Sequence, residues 1–228
     1  MVDDPRTKEE MVRGVFESIQ DRYDLLDSYI SAGMDQRWRR LLVESLNLEQ
    51  GNTVLDCGAG TGKLTRAILD RCPGCKTISL DITESMFRPS ILPETRFMVA
   101  SAEEIPLESS GMNAVASAYL TRNLSSVDKY FSEAYRVLVP GGTFANLDIY
   151  NPSMPVFSQL FALYFYHIVP AIGDAVTGTH SYSYLANSVK KFHAPQVITS
   201  KLIECGFRDV RTKSLMLGSV YIHTARKI

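Results

Sequence analysis

Between residues 53 and 69 the chain passes from a short β-rich run, Thr53-Val54-Leu55-Asp56-Cys57, through Gly58-Ala59-Gly60-Thr61-Gly62 into a helical segment from Lys63 to Leu69. Three glycines in five positions between a strand and a helix narrow the choice of fold sharply. Such a loop lies at the carboxyl end of a parallel strand, where open α/β sheets bind ligands. Two familiar readings fail on spacing. A phosphate loop of the GxxxxGK[ST] type needs glycine at Cys57 and Ser or Thr at Leu64. A GxGxxG dinucleotide fingerprint needs its third glycine, the one that lets helix pack on strand, at Lys63. What remains is GxGxG, preceded by an acid at Asp56.

The rest of the chain supplies a sheet around that loop. Thr77 to Asp81, Arg96 to Ala100, Asn113 to Tyr119 and Thr143 to Ile149 read as further strands. Helical segments near Glu84 to Arg88 and from Val127 to Leu138 alternate with them. This alternation predicts a doubly wound parallel sheet. A helix from Pro195 to Cys205 precedes two strands, Phe207 to Ser214 and Ser219 to Arg226, that read as an antiparallel pair on the sheet edge. The expected fold class is α/β, Rossmann-like, with about seven strands, N-terminal helices and a helical insertion before the last two strands. One domain covers residues 1–228: a helical cap (1–50), a cofactor-binding core (51–150), a helical substrate-side segment (151–206) and a C-terminal strand pair (207–228). In the cap, Thr7 and Glu10 form a capping box. Val12, Val15, Phe16, Ile19 and Tyr23 then share one helix face. A second helix is expected from Met34 to Leu46.

Composition removes several function classes. The 228 residues are 45% hydrophobic, and 24 basic side chains nearly balance 25 acidic ones. The net charge of -1 leaves no basic footprint for nucleic acid, and Arg37, Arg39 and Arg40 read as a solvated helix face. The first ten residues are charged with no apolar run behind them, so no signal peptide is expected and the expected location is cytoplasmic. Cys57, Cys72, Cys75 and Cys205 are too scattered for a disulfide framework. Cys72-Pro-Gly-Cys75 is a lone CxxC where zinc wants four ligands, so these read as loop cysteines and no metal is expected. The longest apolar stretch, Met154 to Ile172, approaches the roughly 20 residues of a membrane span. Ser158, Gln159, His167, Pro155 and Pro170 interrupt it, and it reads as a buried or interfacial helix.

GxGxG after an acid is the loop of class I S-adenosylmethionine-dependent methyltransferases. The chemistry agrees: this cofactor carries an ammonium and a sulfonium rather than a pyrophosphate, so Asp56 beside Gly58, Gly60 and Thr61 is favourable. Glycines let the backbone approach the methionine moiety. Asp81, at the end of the second strand, is placed to accept both ribose hydroxyls. Ser101 and Ala102 follow the third strand, where such folds hold the adenine edge; Ile82 and Met86 pack on the ring or belong to the core, and Ala118, near the end of the fourth strand, is a further expected cofactor contact. The alternative is a plain glycine turn with two capping aspartates.

Further motifs extend the match. Phe16 to Trp38 resembles the Phe-x-x-Ile…Tyr-Asp…Ser…Trp segment of the ubiquinone/menaquinone biosynthesis C-methyltransferase family. Thr121-Arg122-Asn123 resembles its Leu-Arg-Asn stretch, Tyr135 to Leu138 with Pro140-Gly141-Gly142 its next signature, and Tyr166 to Gly173 and Ser181 to Leu185 two stretches of its substrate side. Four positions depart from the family pattern. Lys63 replaces an acid, Asp35 a histidine, Asp148-Ile149-Tyr150 a Glu-x-Ser, and Ser183 an arginine between two tyrosines.

The resemblance implies C-methylation of a prenylated quinol precursor, with S-adenosylhomocysteine as the second product. A methyltransferase of another small aromatic or lipid acceptor, and a non-catalytic S-adenosylmethionine-binding module, are the alternatives. Ionising a phenol of pKa about 10 at neutral pH costs roughly 4 kcal/mol. The resemblance makes Arg122 the group that favours the phenolate, through a water that takes the proton, with Asn123 orienting that water or the ring. The bland alternative is an arginine pairing a carboxylate at a strand end. Tyr23 is the further catalytic candidate; Asp148, Phe161, His167 and Tyr182 are substrate-side candidates. Beyond the small molecule, the expected contacts are a peripheral one with the membrane and a homodimer, with no nucleic acid.

Overall fold

The computed structural model describes residues 5–20, 28, 30, 31 and 33–228. Five strands run parallel: β1 (Thr53–Cys57), β2 (Lys76–Asp81), β3 (Arg96–Val99), β4 (Met112–Ala118) and β5 (Leu138–Ile149). β6 (Arg208–Leu215) and β7 (Val220–Arg226) complete one seven-stranded sheet in the order β3-β2-β1-β4-β5-β7-β6, in which β7 is antiparallel to both neighbours. The central strands are apolar on both faces, as a sheet covered by helices on both sides must be. On one face α2 (Met34–Ser45) and α3 (Lys63–Arg71) bury Trp38, Leu42, Val43, Leu64 and Ile68. On the other, α4 (Val127–Val137) and α8 (Pro195–Glu204) bury Tyr130, Phe131, Ile198 and Leu202 against Phe144 and Phe207.

The remaining helices gather over the carboxyl ends of the strands. They are α1 (Pro5–Ile19), α5 (Pro155–Leu163), α6 (Val169–Thr177) and α7 (Ser181–Lys191). α5 and α6 form one continuous helix through a π-helical turn at Tyr164–Ile168. Pro170 has no N–H for the usual i→i−4 bond, and the Val169 N–H bonds back five residues, to Tyr164. Residues 155–177 are long and apolar enough to cross a membrane by length and composition alone. Only Phe165, Val169 and Gly173 are buried, so the buried alternative for this segment does not hold.

Three local expectations also change. α1 begins at Pro5, so Thr7 lies inside the helix rather than capping it. β5 begins at Leu138, which pairs with Met112 before the ladder slips and resumes at Thr143; Pro140-Gly141-Gly142 is a kink within a strand. Cys72 and Cys75 are bonded to each other across the Pro73-Gly74 turn.

Candidate functional site

Two cavities lie side by side over the carboxyl ends of the strands. The first is lined by Gly58, Gly60 and Thr61 of the loop, by Asp81, Ile82 and Met86 after β2, by Ser101 and Ala102 after β3, and by Ala118 at the end of β4. Nine of the ten residues expected at a cofactor site are therefore brought together. The glycines are needed where they stand: Gly58 has φ 68°, and a Cβ there would meet the Leu120 side chain at 2.8 Å. Asp81 accepts from the Gly60 N–H (2.8 Å) and the Thr83 N–H (2.9 Å). It thereby fixes the loop while facing the cavity. Burial pushes its carboxyl above the usual range against those two donors.

Asp56 is the tenth, and it does not line the cavity. It is fully buried beneath the loop, where it accepts from the Thr65 hydroxyl at 2.6 Å. Strand alternation turns the last inward-facing side chain of β1 under the glycines rather than over them. Burial is the main cause that pushes its carboxyl up to about 7, against the Thr65 hydrogen bonds and the attraction of Arg39. A carboxyl whose folded value exceeds its unfolded 3.8 binds more protons folded than unfolded between those values. Its contribution to stability is then full below about 4 and is lost as pH rises through about 7. Replacing Asp56 with Asn removes that slope. Denaturant unfolding at pH 5 and pH 8 should show the wild type losing on the order of 2 kcal/mol more than the variant over this interval.

The second cavity has a volume of about 370 Å³, in the range of small-molecule sites, roughly 300–1,000 Å³. Its walls are mostly apolar: Val15 and Phe16 of α1, Trp38 of α2, Ile149 of β5, Phe157, Phe161 and Phe165 of the long helix, and Tyr182 and Leu185 of α7. Phe161 and Phe165 are stacked, with ring centroids 5.0 Å apart. Phe16, Tyr119 and Asn123 line both cavities.

Arg122 enters the second cavity from a short 3₁₀ turn, Thr121–Asn123, after β4. Its guanidinium donates to the Asp148 carboxylate at 2.6 Å and to the Tyr119 carbonyl at 2.8 Å. Asp148 also accepts from the Thr121 hydroxyl and the Arg122 and Ile149 N–H groups. It is fully buried behind Arg122 and does not line the cavity. Asn123 donates to the Tyr119 carbonyl and accepts from the Tyr184 hydroxyl at 3.3 Å. His167 is exposed on the long helix and lines neither cavity. Tyr23 lies outside the described residues.

Sequence reasoning missed three contributors. Tyr119 stands between the cavities with φ 63°, a conformation a bulky residue adopts only where its surroundings over-determine it. Its ring meets the Arg39 and Arg122 guanidiniums at 5.0 and 5.6 Å. Tyr184 belongs to the Ser181 to Leu185 stretch, but only its hydrogen bond to Asn123 marks it. Arg39, read as solvated, is buried because Asp35 lies one helical turn before it and pairs with it. Burial alone would push the Asp35 carboxyl up; Arg39, Lys63 and the Ser31 hydroxyl together hold it below the usual range.

The sequence matches the ubiE/COQ5 methyltransferase family over residues 5–227. It is 34% identical to the ubiquinone/menaquinone biosynthesis C-methyltransferase UbiE of Geobacter sp. (strain M21), covering 95% of this chain and 97% of that one. It is 31% identical to the UbiE protein of Brucella anthropi, over 99% of this chain and 90% of that one. Among solved structures, a methyltransferase of Thermotoga maritima superposes with a TM-score of 0.66 at 16% identity, over 95% of this chain and 99% of that one. The CurJ carbon methyltransferase gives 0.63 at 18%, over 88% and 55%. At these identities the structural likeness speaks to fold alone.

Proposed function

The chain belongs to the ubiE/COQ5 methyltransferase family, and from that premise we propose methyl transfer to a ring carbon of a prenylated quinol precursor, with S-adenosylmethionine as donor. The observation that carries the reading is the pair of adjoining cavities. One is built from a glycine loop and a strand-end aspartate, the other is apolar; Asn123 lines both, and its neighbour Arg122 lines the apolar one. S-adenosylmethionine, when bound, supplies an electrophilic methyl group on sulfur. The first cavity fits it: the glycines leave backbone room, Asp81 offers a carboxylate to hydroxyls, and Met86 and Ala102 offer apolar surface beside Ser101.

The second cavity holds the quinol ring. The Arg122 guanidinium favours the ionised phenol, and a neighbouring cation lowers such a pKa by roughly 1–3 units. Charge then moves onto the ortho carbon that takes the methyl. Asp148 keeps the guanidinium in place through its buried ion pair, and Tyr184 sets the side chain of Asn123, which orients the ring or the water that removes the proton. Holding the reacting atoms in line supplies roughly 7–11 kcal/mol of the barrier. Incubation with labelled S-adenosylmethionine and a panel of demethylated quinols tests the reaction. Label transferred to an oxygen or nitrogen acceptor, and to no quinol, overturns it.

The long helix bears the prenyl tail and meets the membrane surface from the cytoplasmic side. Phe157, Leu160, Phe161, Tyr164 and Phe165 line the cavity, while Val156, Leu160, Leu163, Ile168, Ile172 and Val176 are exposed along the same helix. An apolar wall continuous with an apolar outer surface gives a lipid tail a path that avoids water. Phe161→Gln should raise KM for a long-tailed quinol about 5- to 20-fold, the loss of one aromatic contact surface, and leave a tail-less analogue within about twofold. Equal changes for both substrates, in a variant that melts like the wild type, assign the helix another role.

A further inference from the structure

The N-terminal helix α1 runs along both cavities. Glu9, Val12 and Phe16, at i, i+3 and i+7, share one helix face and line the first cavity. Val15, Phe16 and Ile19 line the second. The helix is tied down near both ends: Lys8 donates to the Leu124 carbonyl, and the Ser18 and Ser181 hydroxyls are 2.9 Å apart. Glu9 is therefore a half-buried carboxylate fixed over a ligand cavity, not a solvated helix charge.

Its partner shows where it points. The Ser101 hydroxyl, just past β3, donates to Glu9 Oε1 at 2.5 Å and accepts from the Glu103 N–H at 3.2 Å. Three described acids line this cavity, and two of them are taken by backbone donors. Asp81 holds the Gly60 and Thr83 N–H groups. Glu103 gives its two oxygens to the Ser125 and Ser126 N–H groups, at 2.6 and 3.1 Å, at the start of α4. Glu9 gives one oxygen to Ser101, and its Oε2 accepts no hydrogen bond among the described residues.

β3 neighbours β2 in the sheet. A nucleoside whose ribose meets Asp81 after β2 thus extends its base toward Ser101, Ala102 and Glu9. The amino group of adenine is a donor, and in a cavity without an acceptor it loses its hydrogen bonds to water with no replacement. An ionised carboxylate is the strongest acceptor a protein offers it.

We propose that Glu9 is the base-recognition carboxylate of the cofactor cavity, accepting from the 6-amino group of adenine through Oε2 while Ser101 holds Oε1. This rests on the methyltransferase reading and adds to it a specificity residue supplied by α1. A base with a 6-oxo group sets an acceptor against that carboxylate and is rejected by it.

The test is calorimetric and needs no turnover. S-adenosylhomocysteine is compared with its 6-deamino analogue, in which hydrogen replaces the amino group and the rest of the molecule is kept. The wild type is expected to bind the parent compound about tenfold more tightly. Glu9→Ala should weaken the parent about tenfold and leave the analogue within twofold, so that the preference disappears. Melting temperature reports whether the variant folds; Glu9→Met, of nearly the same length and without an acceptor, gives the same reading should alanine fail. A wild type indifferent to the amino group overturns the proposal without any variant. Equal weakening of both compounds by the Glu9 variants, or no weakening, overturns it as well and leaves the methyltransferase reading intact. Absence of wild-type binding to S-adenosylhomocysteine overturns both.

Discussion

Arg122→Ala should lower kcat roughly 10²–10³-fold while changing S-adenosylmethionine affinity little, because on the proposed mechanism its charge is required only as the phenolate forms. Raising the pH toward the phenol's own pKa of about 10 should restore part of the loss. The alternative weighed for Arg122 in the sequence, an arginine pairing a carboxylate at a strand end, describes a contact that is present, and it complicates the test. Arg122 is ion-paired to a fully buried Asp148, and removing one partner of a buried pair typically costs about 3–5 kcal/mol. A simple alanine variant thus confounds catalysis with stability. The pair Arg122→Met with Asp148→Asn removes both charges together, which is far less costly to the fold. Turnover that stays low in a double variant with near-normal melting assigns Arg122 to the reaction. Wild-type kcat in that variant assigns it to structure alone.

The buried pair also explains where sequence reading runs out. Motif spacing places Arg122 and Asp148 at the ends of neighbouring strands, because a parallel sheet aligns its carboxyl ends. Whether a strand-end side chain faces the ligand or its neighbour depends on alternation and on the next residue's partners. Asp56 and Asp81 illustrate this. Both end strands, yet Asp56 turns under the loop to Thr65, while Asp81 reaches across to Gly60. The central sheet was legible because periodicity and glycine punctuation are local signals. The cavity walls were less so: Tyr119 and Tyr184 act through contacts with Arg122 and Asn123 that no spacing encodes. Arg39 shows the same limit, since a charged helix face reads as solvated until its buried partner is seen. The long helix is a mixed case. Its apolar excess was plain from residues 154–172, but a sequence does not say which stripe is left uncovered.

Asp81→Ala carries the second large effect. On the proposed reading its carboxylate accepts from both ribose hydroxyls, and hydrogen bonds to a charged group contribute about 1.5–3 kcal/mol. Affinity for S-adenosylhomocysteine, read by calorimetry, should therefore fall about 10- to 100-fold. The same carboxylate also anchors the Gly60 and Thr83 N–H groups, so part of that loss comes from a loosened loop rather than from the ribose. The two contributions separate on a ligand lacking one hydroxyl. If the carboxylate binds the ribose, the 2′-deoxy analogue binds the wild type more weakly than the parent compound does, and Asp81→Ala no longer distinguishes them. A loosened loop weakens both ligands by one factor and leaves the wild-type preference in place in the variant. That second pattern removes the ribose from Asp81's role, and unchanged affinity for the parent compound removes Asp81 from the site.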